Sequence, residues 1–322
     1  MEIIYAASYD PDKKGIYKIA LENEEMSILS IRPTKDIPSY LIRHGSYIFA
    51  CFKNTNKCGK RGGIGIFDED LRPITNLEVQ GKSYTHLAVE GDFIAAADYY
   101  SGTVDLFSWN PEEIGLLDII FHEGSGPDPQ RQAQPHLHWV GFFPGEELLL
   151  AADLGTDRIR KYRYRSGELL EQEPVRLPPG SGPRHLVVHQ GDTYLANELK
   201  PAVTQYAGLP EEANALTTLP TSIFPALAGA IRISPTGRSL FVSNRIADTV
   251  AYFALENGIP AFITEIPCGK NPRDLYPVTD SLLLVGAQDE SLIQLFRYDE
   301  QSKTIQDTGH TLSMPNPVCF IT

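Results

Sequence analysis

The chain has 322 residues, of which 42% are hydrophobic and 21% are charged, and its formal net charge is −13. This composition is typical of a globular protein with a substantial core and excludes a disordered chain. The acidic balance argues against broad nucleic-acid binding, because the phosphate backbone requires a basic surface. A few arginines in one cleft can nevertheless hold a small anion.

The sequence also carries no sign of a membrane or secreted protein. No apolar run approaches the roughly 18 residues that a membrane-spanning helix needs. The opening stretch, MEIIYAASYDPDKK, lacks the basic and apolar regions of a secretory signal. The four cysteines have neither a zinc-binding spacing nor the density of a disulfide framework: Cys51, Cys58, Cys268 and Cys319. We therefore expect reduced thiols and a cytoplasmic location.

Short β-rich segments recur along the chain at nearly constant spacing. Aligning them on their first apolar run gives seven anchor residues: Ser39, Thr85, His138, Arg184, Gly229, Arg273 and Pro317. Six of the seven anchors are followed by a second apolar run that ends in a polar residue, and then by a further short strand that usually ends in an aromatic residue. A unit of about 45 residues with weak helical periodicity is typical of a propeller with four strands per blade.

The two ends of the chain each resemble part of one repeat. The N-terminal IIYAASYDPDKKGIYKI is similar to second and third strands, and the C-terminal PNPVCFIT is similar to a first strand. The sequence therefore predicts an all-β, seven-bladed β-propeller in which the N- and C-terminal strands close one blade, with residues 1–322 as a single domain. Closing the ring in this way hides the edges that the two chain ends would otherwise leave. A β-sandwich with coincidental spacing is the alternative, but six near-equal gaps argue against it.

Residues at equivalent positions of different blades are expected to converge in space, so polar residues there are site candidates. One sector carries cations, imidazoles and one carboxylate: His136, His138, Arg184, His185, Glu198, Arg245 and Arg273. Such a set suits an anionic substrate and general acid–base chemistry. His86 and His185 occupy equivalent positions and have a structural alternative. Asp98, Asp153 and Asn244 are expected to cap turns, because their side chains bond local backbone.

Binding of a metal ion is an alternative role for some of these residues. His136 and His138 together with Asp153 or Glu198 offer possible ligands for a divalent ion. No spacing among them is diagnostic, however, and the arginines nearby would repel a cation. We therefore expect neither a metal nor a cofactor.

Several motifs, in their order along the chain, carry a family resemblance: GSGPDPQRQAQPHLHWV, AADLGTDRI, GSGPRHLVVH, NELKPAVTQY, RISPTGRSLFVSNR and GKNPRDL. Together they resemble the seven-bladed propeller lactonases, which include bacterial 6-phosphogluconolactonases and a fungal carboxymuconate-cyclising enzyme. The resemblance covers nearly the whole chain. It implies hydrolysis of a sugar-acid lactone, in the first place 6-phospho-D-glucono-1,5-lactone to 6-phosphogluconate in the pentose phosphate pathway.

The resemblance also places the family's motifs on individual residues. His-x-His falls on His136 and His138, Pro-Arg-His on Arg184 and His185, Asn-Glu-Leu on Asn197 and Glu198, and the later arginines on Arg245 and Arg273. We expect the catalytic residues to be Glu198, His138 and Arg184. We expect the substrate to be bound by His136, His86, His185, Asn197, Arg245, Arg273 and Gln288. The chain departs from the family pattern at Thr85, Ala230, Ala287 and at Phe52–Lys53.

Lactone hydrolysis needs an activated water, stabilisation of an oxyanion and a proton for the leaving oxygen. Glu198 or one of the paired histidines is expected to be the base, and Arg184 the oxyanion partner. Arg245 and Arg273 are candidates for the phosphate, which suits guanidinium geometry. A carboxylate among three arginines should have a lowered pKa, which favours a histidine as the base.

Two other functions stay open. A lyase or cyclase that acts on a carboxylated diene would accept acids without phosphate. A non-enzymatic propeller that binds a protein partner has no need for a clustered His–Arg–Glu set, and that cluster counts against it.

Overall fold

The computed structural model describes residues 1–53, 61–143 and 145–322, without the side chains of Arg61 and Glu212. Within these ranges the chain is nearly all strand, and the only helices are two short 3-10 turns, Glu212–Asn214 and Gln288–Glu290. Neither is long and apolar enough to cross a membrane. Among the described residues, Cys51, Cys268 and Cys319 form no disulfide. Cys58 lies outside the described residues.

The described strands form seven four-stranded sheets, each built from consecutive strands except for the one that joins the two chain ends. In chain order the strands are β1 (Glu2–Ser8), β2 (Gly15–Glu22), β3 (Glu25–Pro33); β4 (Ile37–His44), β5 (Tyr47–Lys53), β6 (Arg61–Phe67), β7 (Pro73–Gln80); β8 (Tyr84–Glu90), β9 (Phe93–Asp98), β10 (Thr103–Trp109), β11 (Ile114–Phe121); β12 (Leu137–Phe143), β13 (Leu148–Asp153), β14 (Arg158–Arg165), β15 (Glu168–Arg176); β16 (Pro183–His189), β17 (Asp192–Asn197), β18 (Ala202–Tyr206), β19 (Ala215–Pro220); β20 (Leu227–Ile233), β21 (Ser239–Arg245), β22 (Thr249–Glu256), β23 (Ile259–Pro267); β24 (Pro272–Pro277), β25 (Leu282–Ala287), β26 (Leu292–Asp299), β27 (Thr304–Ser313); and β28 (Pro317–Ile321).

The C-terminal strand completes the sheet of the N-terminal strands. β28 pairs antiparallel with β1, with Tyr5 opposite Ile321 and Ala6 opposite Phe320. The sheet order is therefore β28-β1-β2-β3. The predicted seven-bladed β-propeller, with both chain ends in one blade, is confirmed.

The strands differ in burial according to their place in a sheet. Second strands such as FIAAAD in β9 and LLLAAD in β13 are buried along nearly their whole length, because neighbouring sheets cover both of their faces. Fourth strands such as β27 alternate between partly buried and exposed residues, as expected of a strand with one solvated face. The apolar core therefore lies between neighbouring sheets, as where Phe49 of β5 packs with Tyr84 and Phe107 of the next sheet.

The chain divides into two compact units. Unit 1 contains residues Met1–Ser8, Tyr17–Ser30 and Arg184–Thr322, and unit 2 contains Tyr9–Ile16 and Ile31–Pro183. Within unit 2 the first strand β8 contacts the first strands β4 and β12, and within unit 1 β24 contacts β20 and β28. The assignment of residues 1–322 to a single domain stays a prediction.

The anchor residues of the repeat coincide with irregularities in the first strand of several sheets. The pairing register shifts between Pro38 and Tyr40, between Tyr84 and His86, between Leu137 and Trp139, and between Pro272 and Asp274. Ser39, Thr85, His138 and Arg273 are therefore bulged residues. A bulge re-aims a side chain away from the regular pleat and is frequent beside functional sites.

Two of the bulged residues form hydrogen bonds to the first strand of the next sheet. Ser39 Oγ donates to the Tyr84 carbonyl oxygen over 2.5 Å, and Thr85 Oγ1 lies 3.1 Å from the Leu137 carbonyl oxygen. In each case a hydroxyl links the bulge to the first strand of the next sheet. The same position in other sheets holds His138 or Arg273, so it accepts side chains of very different size and chemistry.

A buried histidine–tyrosine pair stabilises unit 2. Tyr162 Oη lies 2.6 Å from His122 Nε2, and His122 Nδ1 lies 2.9 Å from the Gly102 carbonyl oxygen. A carbonyl oxygen only accepts, so Nδ1 carries the proton and Nε2 accepts from the tyrosine hydroxyl. Burial, and after it the charge of Arg160, lower the pKa of His122 below its ordinary value of 6.5.

This shift predicts a pH-dependent stability. Between pH 6.5 and the lower folded-state pKa, the unfolded chain binds more protons at His122 than the folded chain. The free energy of unfolding should therefore fall as pH drops through this window, by up to about 1.4 kcal/mol per pH unit from this group. Urea unfolding of wild type and His122→Gln at about pH 7.5 and 5 measures the difference, and the variant should show the shallower slope. Equal slopes would contradict the role of His122 in this pH dependence, and His310→Gln, at a partly exposed histidine, is the control.

Candidate active site

A buried carboxylate in unit 1 contacts two arginines. Glu198 Oε2 lies 3.0 Å from Arg184 Nε and 2.6 Å from Arg245 Nη2. Arg184 stands near the start of β16, Glu198 directly follows β17, and Arg245 ends β21. β16 and β17 are the first and second strands of one sheet, so the start of β16 lies beside the end of β17. Arg245 reaches Glu198 from β21, the second strand of the following sheet.

Backbone contacts hold this cluster in place. The Ala228 main-chain N–H donates to the Glu198 carbonyl oxygen over 3.3 Å, and Arg245 Nη2 lies 3.4 Å from the Ala228 carbonyl oxygen. Arg184 Nη1 lies 3.3 Å from His185 Nε2. A guanidinium only donates, so His185 Nε2 is the acceptor and lacks a proton in this arrangement.

Positive charge exceeds negative charge around Glu198. Burial first, and then the cations Arg245 and Arg273, lower the pKa of Arg184 well below its usual value, while Glu198 opposes this shift. The nearby Asp274 already has a cation of its own, Arg232 Nη2 at 3.1 Å. Because Glu198 contacts two guanidinium groups and the charge of a third acts on Arg184, a further negative charge would be stabilised here. The cluster is suited to an anionic ligand.

The members of the cluster differ in how far their side chains are exposed. The side chains of Glu198 and Arg184 are 1% and 2% exposed, whereas that of Arg245 is 11% exposed. Arg273 and Gln288 are also only partly buried. The more exposed members are the ones that a ligand can reach without displacing protein atoms, whereas the buried Arg184 is paired with Glu198.

The predicted histidine pair lies in unit 2, where both rings contact Tyr99. The His136 ring stacks on the Tyr99 ring at 4.2 Å between centroids and 13° between planes. The His138 ring meets the same tyrosine edge-on at 5.7 Å and 86°. His136 Nδ1 lies 2.8 Å from the Tyr99 carbonyl oxygen, and its main-chain N–H donates to Asp153 Oδ1 over 2.9 Å. The two histidines therefore lie close together, as their spacing predicts.

Other predicted binding residues have structural contacts. The ring of His86 lies 3.9 Å from that of Tyr40 and 5.7 Å from that of Trp139, and its Nδ1 accepts from the Val140 N–H at 3.4 Å. These contacts favour the structural alternative for His86. Asn197 Nδ2 donates to Thr204 Oγ1 over 3.0 Å, across the hairpin of β17 and β18.

Of the three polar residues at strand ends, Asp98 caps its turn as the sequence predicts, whereas the backbone contacts of Asp153 and Asn244 are to residues distant in the chain. Asp98 accepts from the main-chain N–H groups of Ser83, Tyr100 and Ser101. Asp153 accepts from His136, and its other oxygen lies 3.0 Å from Arg160 Nη2. Asn244 Nδ2 donates to the Thr221 carbonyl oxygen over 2.7 Å. In each case the side chain ties a strand end to the segment that precedes a first strand.

Sequence reasoning missed Tyr99, although a signal was present. Tyr99 directly follows the second strand of its sheet, as Glu198 does, and Arg245, the last residue of β21, is the equivalent residue of its repeat. Over residues 1–53, 61–143 and 145–322, no three His, Cys, Asp or Glu side chains are grouped to hold a metal ion. The expectation of a metal-free site stays a prediction.

Ile246, next to Arg245, has a strained backbone. Its φ is +75°, and among the described residues it is the only β-branched side chain with a positive φ. The left-handed conformation is costly for such side chains, at about 1–2 kcal/mol, and strain of this kind is concentrated at functional sites. Its side chain is 66% exposed, so packing does not compensate for the strain.

We expect Ile246→Gly to raise the free energy of unfolding by about 1 kcal/mol, because glycine adopts a positive φ without a steric penalty. The measurement is urea unfolding beside wild type. Ile246→Asn, which also tolerates this conformation, should move in the same direction by less. A loss of stability in both variants would show that the isoleucine side chain makes a stabilising contact.

Comparisons with known proteins agree with this architecture. The family described as "Lactonase, 7-bladed beta-propeller" matches residues 3–322. The 6-phosphogluconolactonase of Bacillus subtilis is 28% identical over 333 residues, covering 95% of this chain and 93% of that protein. The crystal structure of a provisionally named 6-phosphogluconolactonase of Bacteroides fragilis is 29% identical, with a TM-score of 0.90, and covers 99% of this chain and 97% of that one. The fold is shared by a periplasmic gluconolactonase of Pseudomonas aeruginosa, which is 23% identical. Its TM-score is 0.89, and the match covers 99% of this chain and 98% of that one. The chain therefore belongs to the seven-bladed β-propeller lactonase family.

Proposed function

We propose that the protein hydrolyses the lactone of a phosphorylated sugar acid, in the first place 6-phosphogluconolactone. The observation that carries the proposal is the surplus of cationic groups around Glu198, with Arg184 and Arg245 on one carboxylate oxygen and Arg273 close enough to affect Arg184. A phosphate dianion would balance that charge. The related Bacillus subtilis 6-phosphogluconolactonase supports the substrate class.

The reaction has three requirements that residues of this chain can meet. A base removes a proton from water as the water oxygen attacks the ester carbonyl carbon. Positive charge stabilises the tetrahedral oxyanion, and the ring oxygen takes up a proton as its bond to that carbon breaks. Glu198 already forms ion pairs with two arginines, so a histidine of the pair at 136 and 138 is the better base.

The differences in burial support an assignment of the arginines that differs from the sequence-based expectation, in which Arg184 stabilised the oxyanion. Arg245 combines contact with Glu198 and partial exposure, so it is the better partner for the oxyanion. Arg273 is the candidate for the phosphate, where guanidinium geometry suits two parallel hydrogen bonds. Arg184 keeps Glu198 charged and in place. On this proposal the enzyme works without a cofactor, in the cytoplasm, in the pentose phosphate pathway.

The test is the disappearance of freshly prepared 6-phosphogluconolactone against its spontaneous hydrolysis, beside unphosphorylated gluconolactone. Wild type should accelerate loss of the phosphorylated lactone strongly. Arg273→Gln should raise KM for that lactone and leave the unphosphorylated one nearly unchanged, because only the former presents a dianion. Arg176→Gln, at an exposed arginine, is the matched control.

Folded wild-type protein that gives no acceleration would overturn the proposal. Equal effects of Arg273→Gln on both lactones would remove Arg273 from the phosphate site. Turnover of a carboxylated diene without phosphate would instead support the cyclase function.

A further inference from the structure

We propose that Tyr99 is a positioning residue of the active site, whose main-chain carbonyl and ring hold His136 so that Nε2 is the atom that accepts a proton. The catalytic part of this inference rests on the proposed lactonase function. Its structural part concerns unit 2 alone and is testable without any substrate.

The carbonyl contact determines where the proton of a neutral His136 lies. His136 Nδ1 is 2.8 Å from the Tyr99 carbonyl oxygen. A carbonyl oxygen has no hydrogen to give, so Nδ1 is the donor and must carry the proton. The lone pair of the neutral ring is then on Nε2, at the far side of the imidazole. A histidine whose other nitrogen is held by such a bond has one defined tautomer.

The tyrosine ring restrains the orientation of the imidazole. It stacks on His136 at 4.2 Å with only 13° between the planes, and it meets His138 edge-on at 5.7 Å. Offset stacking and edge-to-face contacts are the favoured aromatic geometries. One tyrosine side chain therefore orients both histidines of the predicted catalytic pair.

The main chain of His136 is held independently. Its N–H donates to Asp153 Oδ1 over 2.9 Å, and the second oxygen of Asp153 lies 3.0 Å from Arg160 Nη2. Both Asp153 and Arg160 are buried. The backbone of His136 is thus anchored on one side, and its ring is set by Tyr99 on the other, which leaves little freedom for Nε2 to change direction.

This arrangement suits a base that takes up and returns one proton. When Nε2 accepts a proton from the attacking water, the imidazolium keeps its Nδ1–H bond to the carbonyl, and that bond strengthens because the donor is now charged. The same Nε2–H can then be given to the ring oxygen as the carbon–oxygen bond breaks. The histidine ends neutral, in the tautomer in which it began.

The experiment measures the tautomer directly. Nitrogen-15 NMR of the full-length protein near neutral pH reports which ring nitrogen carries the proton, and a His136→Gln difference spectrum assigns the signal. We expect the Nδ1–H form in wild type and in Tyr99→Phe, which keeps the ring and the carbonyl. Tyr99→Ala keeps the main-chain carbonyl but loses the ring that holds the imidazole in line with it, so His136 should shift toward the Nε2–H form. The kcat of Tyr99→Ala should fall about ten- to hundredfold with little change in KM, and Tyr99→Phe should retain wild-type kcat.

Three results would overturn the inference: an Nε2–H tautomer in wild type, an unchanged tautomer in a folded Tyr99→Ala, or unchanged kcat in that variant. Thermal unfolding of each variant establishes that it is folded. If wild type does not hydrolyse lactones, the proposed function fails, whereas the NMR result still decides whether Tyr99 positions His136.

Discussion

Glu198→Gln is expected to destabilise the fold by about 3–5 kcal/mol and to remove most lactonase turnover. The carboxylate is 1% exposed and is the counter-charge for Arg184, itself 2% exposed. Removing one partner of a buried ion pair leaves an uncompensated charge, which is the costly case. Arg245 and Arg273 already disfavour the charge on Arg184, so the loss of Glu198 adds to their effect.

Urea unfolding measures the first effect, and lactone turnover by the folded fraction measures the second. Glu173→Gln is the matched control, because its ion pair with Arg176 is exposed and contributes little. The double variant Glu198→Gln with Arg245→Gln should recover part of the lost stability, since it removes one of the uncompensated cations. Additive losses in this double-mutant cycle would show that charge balance is not what Glu198 supplies.

His138→Ala is expected to lower kcat by about 10²–10⁴-fold while the protein stays folded. His138 occupies a bulge position that holds Ser39 and Thr85 in two other sheets, so a small side chain is compatible with the backbone there. The edge-on contact with Tyr99 is lost, but the stack between Tyr99 and His136 remains. Catalysis should therefore suffer far more than stability.

Steady-state kinetics against the spontaneous background, together with thermal unfolding, provide the test. His138→Ser repeats the residue that Ser39 supplies at the equivalent bulge, and it should be at least as stable as the alanine variant and equally slow. His310→Ala, at a partly exposed histidine outside the proposed site, should keep wild-type kinetics. Wild-type kinetics in folded His138→Ala would exclude this histidine from catalysis and leave His136 as the candidate.

Much of the architecture was predictable from one sequence because each blade repeats the same pattern of buried and solvent-exposed strands. Every second strand is covered on both faces and reads as a continuous apolar run, and every fourth strand has a solvated face. Spacing between such runs is a property of the chain alone. It therefore predicted seven blades, the shared blade of the two ends, and the residue classes that depart from the repeat.

The connections within the site were decided by tertiary structure. Nothing in the spacing shows that Arg184 and Arg245 share one oxygen of Glu198, because that contact depends on side-chain direction across two sheets. The bulges at His138 and Arg273 arise from pairing with the second strand, which sequence periodicity does not report. Tyr99 acts partly through its main-chain carbonyl, a group that every residue carries, so only the fold shows that this one faces His136.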